Sequence, residues 1–515
     1  MNQPLYLSSQ QPVPRSARQH TVAVIGAGIG GLAASLHLAR HGLHVEVFEK
    51  NLRPGGRCDR IERDGHRFDT GPTLFIMPEV YAREYRLLGD ELRESLQLKR
   101  VDPSYRLIFS DGGELALTSD VEGMRSQLER MEPGSFDGYM RYLAEGRRHY
   151  ELAMEKLVDR DFRRTSDFFN LANLPLIHQV RPFKNHYAHT GRFVRTPRLK
   201  AALTFQDVYM GLSPFHAPAT FSMMPYTEFT HGVWYPQGGM SAVVESLYRM
   251  AVDAGVVFHF NRAVRRIPTE GDRAQGITLA DGEDLPFDFI VANADLPYVY
   301  RDLLPDRALS RRLERKDFSC SVISFFWGMD CVVEALGPHT LFLADDYRRN
   351  FDDLARPGCV PEDPSLYIHA PTRLDPSMAP PGGDTLTAIV PVAHLDGTVS
   401  HPAENRDRAR QAVFARLEGL GLHGLQAHIK FEMCFTPLSW RKRYNLMNGS
   451  THGLSHTLTQ LAYFRPSNRH PSYINMYFVG ASTRPGTGIP TSLISARQTA
   501  SRLMEEHLGV EVVPE

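Results

Sequence analysis

Residues 21–33 read Thr21-Val-Ala-Val-Ile-Gly26-Ala-Gly28-Ile-Gly30-Gly31-Leu-Ala33, a β-branched run that breaks into glycines and continues as an Ala/Leu-rich stretch. This pattern predicts a strand, a tight turn and the start of a helix. Gly26 lets the chain turn, Gly28 lets the backbone approach a pyrophosphate, and Gly31 lets the helix pack on the strand. The free N–H groups at the helix start can then bind phosphate.

A carboxylate ends the next predicted strand, Val45-Glu-Val-Phe-Glu49. At about 20 residues beyond the glycines, such a carboxylate can accept hydrogen bonds from an adenosine ribose. Together the two features indicate a dinucleotide site, and they fit NAD and FAD alike.

A second glycine pair follows in Arg53-Pro-Gly55-Gly56-Arg57, and Gly65, Asp69 and Gly71 complete the pattern GGRxxxxxxxGxxxDxG. This pattern resembles the extended signature of the FAD-dependent amine oxidase and carotenoid desaturase superfamily. The resemblance implies that FAD is the cofactor and that Gly56 and Arg57 approach its diphosphate.

The far end of the chain carries a second loop, Val479-Gly480-Ala-Ser-Thr-Arg484-Pro-Gly-Thr-Gly488-Ile489-Pro490, between an apolar strand and a helix. It resembles the terminal motif of bacterial and fungal phytoene desaturases, except that Arg484 stands where that motif usually has histidine. A helix start aimed at a flavin would stabilise negative charge on the reduced ring. The resemblance implies flavin contacts at Gly480, Gly488, Ile489 and Pro490, and an adenine contact at the backbone of Val264.

The order of predicted elements indicates an α/β protein. We expect a Rossmann-like FAD-binding domain assembled from discontinuous segments, an α+β substrate domain and a helical membrane-contacting insert. The expected boundaries are a disordered tail at 1–20, the FAD-binding domain at 21–120, 235–300 and 465–515, the helical lid at 121–234, and the substrate domain at 301–464.

Composition excludes several classes of protein. A net charge of −1 and a pI near 7.1 make nucleic acid an unexpected partner. The five cysteines form no CxxC pair, which favours reduced thiols in the cytoplasm, and no residue pattern indicates a metal site. No apolar run is long enough to cross a bilayer.

Residues 163–200 combine apolar side chains with many cations and have Asp167 as their one acid. Two interpretations are open: peripheral docking on an anionic membrane, or a helical lid whose charges face water. The family resemblance favours membrane contact, because a C40 hydrocarbon resides in the bilayer. The cations are Arg163, Arg164, Arg181, Lys184, Arg192, Arg195, Arg198 and Lys200.

Soft and aromatic side chains in the inserts could line a tunnel for a polyene, or they could belong to the core. The candidates for substrate contact are Met223, Tyr226, Phe229, Phe326 and Trp327.

The resemblance implies FAD-dependent desaturation of phytoene or a related long-chain isoprenoid by hydride transfer to flavin N5, with oxygen or a quinone as electron acceptor. An oxygenase or cis-trans isomerase on the same scaffold is the main alternative. A non-catalytic lipid-binding flavoprotein and an amine oxidase are the others. The residues identify no catalytic base, and His231 and His452 are expected to be ordinary polar residues.

Overall fold

The computed structural model describes residues 20–304, 306–356, 358–396 and 402–510. The predicted disordered tail at 1–20 therefore lies, apart from His20, outside the described residues.

The strands, in chain order, are β1 Thr21–Ile25, β2 His44–Glu49, β3 Arg60–Arg63, β4 His66–Asp69, β5 Leu98–Val101, β6 Tyr105–Ile108, β7 Glu114–Leu117, β8 Val233–Pro236, β9 Val257–Phe260, β10 Val264–Arg266, β11 Thr269–Glu270, β12 Arg273–Ala274, β13 Gly276–Leu279, β14 Asp284–Pro286, β15 Phe289–Ala292, β16 Ser321–Met329, β17 His339–Phe342, β18 Leu366–His369, β19 Asp384–Val392, β20 Ile429–Phe435 and β21 Met476–Phe478.

The helices are α1 Ile29–Arg40, α2 Pro78–Leu87, α3 Leu92–Ser95, α4 Val121–Met131, α5 Ser135–Ala153, α6 Thr165–Phe168, α7 Leu174–Val180, α8 His186–Thr190, α9 Pro197–Ala202, α10 Met223–Thr230, α11 Ser241–Asp253, α12 Leu296–Tyr298, α13 Arg307–Glu314, α14 Tyr347–Leu354, α15 Pro402–Glu418, α16 Pro437–Tyr444 and α17 Ile489–Leu508.

A five-stranded parallel sheet in the order β21-β15-β1-β2-β9 forms the first layer. Its central strand β1 is apolar and buried because α1, α11 and α17 pack beside it. The predicted strand, turn and helix at residues 21–40 are confirmed. The chain leaves β1 toward β2 on one side and meets β15 on the other, so the sheet has a switch point at the carboxyl end of β1, where ligands of such sheets bind.

The second layer is a seven-stranded sheet in the order β20-β16-β19-β18-β17-β6-β7. The hairpin β6–β7 joins this sheet, because β6 pairs in parallel with β17. The structure thus places residues 105–117 away from the cofactor sheet to which the sequence assigned them. The sequence of a short strand such as β6 does not specify which distant strand it pairs with, here β17.

Helices α4, α5 and α9 share a hydrophobic core with β6, β7 and β17 of the second sheet, and α5 and α10 pack against each other. This region corresponds to the helix-rich insert expected at 121–234.

Candidate functional site

Two glycine segments meet beyond the carboxyl end of β1. The Gly55 amide donates to the carbonyl of Ala27 at 2.9 Å, and a Cβ on Gly56 would lie 3.2 Å from the Gly28 Cα. A Cβ on Gly31 would lie 2.1 Å from the Gly26 carbonyl oxygen. Bare backbone therefore forms the floor of a cradle at the start of α1, and Gly31 allows α1 to pack this close to β1.

The second chain end closes the same cradle. A Cβ on Gly30 would lie 3.2 Å from the Gly480 Cα, so the two glycine loops are in contact although they are far apart in sequence. Gly488 has a φ of +131° and precedes α17, whose first turn contains no acidic residue. The amino end of α17 therefore presents positive potential at the cavity wall.

Asn293, directly after β15, lies between these loops. Its Nδ2 donates to the Gly26 carbonyl at 3.2 Å, and a Cβ on Gly28 or on Gly480 would collide with its carboxamide. The sequence analysis did not identify this linking role. A short polar side chain after a buried strand was the available signal.

Glu49, at the end of β2, is buried on the cavity wall. Its carboxylate accepts hydrogen bonds from the Ala27 amide at 2.9 Å and from the Asn51 amide at 2.8 Å. Burial raises the pKa of Glu49, and these hydrogen bonds oppose the shift. A carboxylate has about four acceptor positions, so it retains capacity for a ribose hydroxyl.

Arg57 brings a positive charge to the cradle. Its Nη1 donates to the Thr451 carbonyl at 2.9 Å, and in the described part of the chain the guanidinium forms no ion pair. Burial lowers the pKa of Arg57, an effect that nearby Asp295 opposes. A partly buried cation without an ion pair, beside bare backbone and two helix starts, fits an anionic dinucleotide such as FAD.

A cavity of about 1270 Å³ extends from this cradle. The predicted cofactor residues on its wall are Gly26, Gly28, Glu49, Gly56, Arg57, Val264, Gly480, Gly488, Ile489 and Pro490. Gly31 lies behind the wall, where it serves helix packing.

The cavity runs from the cradle to the molecular surface, where it ends in an apolar rim. The rim consists of large hydrophobic side chains that are exposed to solvent and also line the cavity. We call this set the apolar lip: Phe169, Leu171, Leu174, Phe183 and Phe464.

Of the side chains proposed to contact substrate, Met223 lies on the cavity wall. Tyr226 packs instead against the rings of Tyr150 and His231, and Phe229 packs edge-on against Tyr139.

Phe326 and Trp327 lie in packed core rather than on the cavity wall. Both are 0% exposed, and the Trp327 Nε1 donates to Glu432 at 2.8 Å. Their strand β16 has a partner on each side and both of its faces are buried, so consecutive aromatic residues fill the core.

Other elements supply the deep wall. Its side chains come from β6, the 3₁₀ helix Phe205–Met210, β17 and α14, so no local pattern marks them in the sequence. They include Tyr105, Phe205, Tyr209, Leu341, Leu343 and Phe351.

A buried arginine that the sequence did not indicate fixes the second loop. Arg465 donates to the carbonyls of Leu454, Ser455, Gln460, Ala481 and Thr483. Burial lowers its pKa to about 9. These bonds hold the loop before α17 against the preceding segment.

Arg484, the departure from the family motif, points away from the cavity. Its Nη2 donates to the Tyr463 carbonyl at 2.5 Å, its Nε donates to the Arg465 carbonyl at 3.2 Å, and its Nη1 bonds the Phe162 carbonyl. The substitution for histidine therefore changes the packing behind the loop and leaves the cradle surface as it is.

The cations of 163–200 are less free than the sequence indicated, because acids elsewhere in the chain pair with many of them. Arg163 pairs with Asp161 at 2.7 Å, Arg195 with Glu132 at 3.2 Å, and Arg181 with Glu145 at 3.5 Å. In the described residues Arg164, Lys184 and Lys200 form no ion pair.

Away from the cavity, the ligand atoms of Asp330, Cys331 and His428 lie within 4.8 Å of one another, and His428 Nδ1 hydrogen-bonds Asp330 at 2.9 Å. The five cysteines are free thiols. Among the described residues, no helix has the length and apolar content needed to cross a membrane.

Comparison with known proteins decides the family. Residues 29–504 match the family described as flavin containing amine oxidoreductase. The chain belongs to this family. It is 42% identical over 95% of its length to a zeta-carotene-forming phytoene desaturase from Myxococcus xanthus, which it covers to 95%. It is 36% identical over 96% of its length to a phytoene desaturase from Phycomyces blakesleeanus, which it covers to 86%.

Solved structures share the fold at low identity. Putrescine oxidase with bound putrescine superposes with a TM-score of 0.63 at 14% identity, covering 94% of this chain and 99% of the oxidase. Within its family the chain thus groups with bacterial and fungal carotenoid desaturases, and its cofactor is FAD.

Proposed function

We propose that this protein is an FAD-dependent desaturase that takes phytoene or a related long-chain isoprenoid from a membrane and extends its conjugation. The observation that carries the proposal is the continuity of one cavity from the dinucleotide cradle to the apolar lip. The two relatives named as phytoene desaturases support it.

The size of the cavity fits two long ligands. Ordinary small-molecule pockets occupy about 300–1,000 Å³, and this cavity measures about 1270 Å³. Beyond the cradle its wall is largely apolar, with Leu341, Leu343 and Phe351 at depth. A hydrocarbon chain loses its contact with water along such a wall and needs no polar partner.

The same wall disfavours an amine substrate. In the described residues its acidic side chains are Glu49 and Asp295, and both lie at the cradle. Glu49 accepts hydrogen bonds from backbone amides, and Asp295 accepts from Ser482 Oγ at 2.6 Å and from the Met447 amide at 2.9 Å. No carboxylate is left at the apolar part of the wall to bind an ammonium group.

When bound, FAD supplies a hydride acceptor at N5. The residues that would bind and orient it all line the cavity: Glu49 would accept a hydrogen bond from the ribose, Arg57 and the start of α1 would hold the diphosphate, and the backbone at Val264 would contact the adenine. The amino end of α17 would stabilise negative charge at the flavin ring.

Two buried histidines near the second loop add no positive charge there. Burial lowers the pKa of His452 to about 4 and holds the pKa of His456 well below its usual range. The neutral His456 Nε2 accepts a hydrogen bond from the Thr487 amide at 3.1 Å, which positions the loop before α17.

We further propose that the apolar lip inserts below the lipid headgroups, on the cytoplasmic face of a membrane. Leu171 is 84% exposed and Phe183 is 81% exposed, which is unfavourable in water and favourable in the acyl region. Arg164, Lys184 and Lys200 lie in the same segment and can meet anionic headgroups. Oxygen or a quinone would accept the electrons, and a quinone would enter from the same bilayer.

The test is incubation of the purified holoprotein with phytoene in liposomes, in one arm under anaerobic conditions to follow the flavin spectrum and in a second arm in air to analyse the pigments. We expect bleaching of oxidised flavin together with a product of longer chromophore. Products with added oxygen mass would indicate an oxygenase. A product with the same mass as the substrate but a shifted absorption spectrum would indicate an isomerase. Either result, or unbleached flavin with every isoprenoid tested, would overturn the proposal.

A further inference from the structure

Desaturation releases a proton inside an apolar cavity. One C–H bond of the substrate breaks with its electron pair, which leaves as hydride to oxidised flavin, and the neighbouring C–H bond then loses a proton to form the double bond. Water is scarce along such a wall, so the proton needs an acceptor and a path to solvent. This argument rests on the proposed function.

A buried carboxylate that no other part of the mechanism uses lies behind the deep wall. Glu228, on α10, is 5% exposed. Its Oε2 accepts a hydrogen bond from Gln206 Nε2 at 3.0 Å, and its Oε1 accepts from the Tyr105 hydroxyl at 3.4 Å. Among the described residues Glu228 forms no ion pair, and a buried carboxylate without one is costly to maintain, which favours a chemical role.

Two phenols connect this carboxylate to the cavity. The hydroxyl groups of Tyr105 and Tyr209 hydrogen-bond each other, and both side chains line the cavity. The residue after Tyr209, Met210, hydrogen-bonds through its backbone to His456, which accepts from the Thr487 amide in the loop before α17. The chain of hydroxyl groups therefore begins on the wall of the same cavity that the second loop lines.

A second, small cavity lies on the far side of Glu228. It measures about 30 Å³, which is enough for one water molecule. Glu228 and Gln206 line it together with Asp102, Ser104 and Ser119, and of these Ser119 Oγ donates to Asp102 at 2.5 Å near the protein surface. The carboxylate thus lies between the substrate cavity and a polar exit.

We propose that Tyr209, Tyr105 and Glu228 form the path by which the substrate proton leaves the cavity. In one concerted shift the proton passes to the Tyr209 oxygen, the Tyr209 proton to the Tyr105 oxygen, and the Tyr105 proton to Glu228. The carboxylic acid then releases its proton to water in the small cavity. Both phenols are regenerated, and the net change is one proton moved from substrate to solvent.

The electrostatics agree with this path. Burial raises the pKa of Glu228 to about 7, while hydrogen bonds from Gln206, Tyr209 and Tyr105 oppose the shift. Near neutral pH both protonation states of the carboxyl group are therefore populated, as a relay requires. The other titratable or charged groups that face it are Tyr139 and Tyr142 from α5, and Arg100 and Asp102 at the small cavity.

The experiment compares Glu228→Gln and Tyr209→Phe with the wild-type holoenzyme and with Tyr235→Phe. Tyr235 is a matched control, since it is a fully buried tyrosine on neighbouring β8 whose hydroxyl has no hydrogen-bond partner in the part of the chain that the structure describes. Two properties are measured: the pH dependence of anaerobic flavin reduction by phytoene, and the infrared carboxyl bands of the holoenzyme without substrate.

We expect the rate of flavin reduction in wild type to rise with pH through about 7, because the ionised carboxylate is the proton acceptor. In Glu228→Gln and Tyr209→Phe, flavin should be reduced about 100-fold more slowly, with KM unchanged. The protonated carboxyl band of Glu228 should disappear through the same pH range in wild type and in Tyr209→Phe. The Glu228→Gln spectrum should lack this band and keep the band of Asp69, whose pKa burial raises to about 6. Tyr235→Phe should match wild type.

Three results would overturn the path. The first is that both variants keep the wild-type dependence of flavin reduction on pH, and the second is that no carboxyl band titrates near pH 7. The third is that the variants are slow because they lose flavin and stability, while the pH dependence of the rate does not change. Wild-type protein that forms no product while its carboxyl band titrates as described would overturn the proposed desaturation. The assignment of the titrating carboxyl group to Glu228 would still hold in that case.

Discussion

At the cofactor end of the cavity, Gly28, Gly55 and Gly480 bring three loops into backbone contact, whereas at the lip the wall is made of side chains such as Leu171 and Phe183 that extend into solvent. The first end tolerates no added atom because backbone must approach a diphosphate. The apolar lip needs an apolar surface, and the positions of its individual atoms matter less. A site that needs close approach of the backbone is therefore visible in the sequence as a glycine motif at fixed positions. A site that needs only an apolar surface is visible as an enrichment in apolar residues, without fixed positions.

The largest effect is expected for Gly28→Val, at the cofactor end. A Cβ at this position would lie 2.9 Å from Asn293 Nδ2, and the further methyl groups would occupy the space of the diphosphate. We expect loss of bound FAD, measured by absorbance of the purified protein and by flavin titration. Gly337→Val is the control, since its Cβ would meet nothing closer than Thr340 Oγ1 at 4.0 Å. Normal flavin content in Gly28→Val would contradict the assigned cradle.

A second test concerns pH and the scaffold of the cofactor end. Burial raises the pKa of Asp69 to about 6, although the amides of Met240 and Ser241 donate to its carboxylate at 2.8 Å and 3.1 Å. The folded protein holds this proton more tightly than the unfolded chain does. Its contribution to the free energy of unfolding is therefore complete below about pH 4 and is lost as the pH rises through about 6.

From the ordinary value of 3.8, this shift corresponds to about 3 kcal/mol. Asp69→Asn should remove that part of the pH dependence, measured by urea unfolding at about pH 4 and about pH 7. The exposed Asp64→Asn should keep it. Equal slopes for wild type and Asp69→Asn would show that Asp69 does not titrate in this range.

At the lip we expect a smaller, graded effect. The triple variant Phe169→Ser, Leu171→Ser, Phe183→Ser removes apolar area from the rim and should weaken binding to anionic vesicles at least about 10-fold, with flavin content unchanged. Vesicle cosedimentation measures it. The control is Val121→Ser, Met140→Ser, Val332→Ser, which alters exposed apolar residues away from the cavity. Equal vesicle binding of both triple variants would remove the docking surface.

The smallest expected effects separate the cavity wall from the core. Phe326→Leu should lower the free energy of unfolding by about 1 kcal/mol and leave KM for the polyene unchanged. Met223→Leu, on the wall, should change KM by about 2-fold with little effect on stability. Kinetics and urea titration of both variants measure the contrast, and the opposite pattern would reverse the two assignments.

Sequence patterns were informative where local geometry is demanding. Gly26, Gly28 and Gly30, the carboxylate of Glu49 and the loop before α17 all lie on one cavity, as the motifs indicated. The fold class followed from the same motifs, because a β-branched run before a glycine turn and a helix has few other structures.

Features that depend on distant pairing were not predictable. Phe326 and Trp327 fill the core because β16 has a partner strand on each side, and β6 joins the second sheet through β17. Arg181 and Arg195 pair with acids on other helices, which a count of charges within 163–200 overlooks. Asn293 and Arg465 act through backbone groups of remote loops, and such contacts have no sequence spacing of their own.

The order of the strands in the parallel sheet determines how late in synthesis the cradle can be completed. β21 and the start of α17 come from the last part of the chain, and they border the same cradle as β1. A ribosome must therefore pass residue 490 before the nascent protein can retain a nucleotide. Until β21 is present, one edge of β15 lacks its partner strand. A supply of free FAD should therefore act late in maturation, when it stabilises the completed chain by mass action.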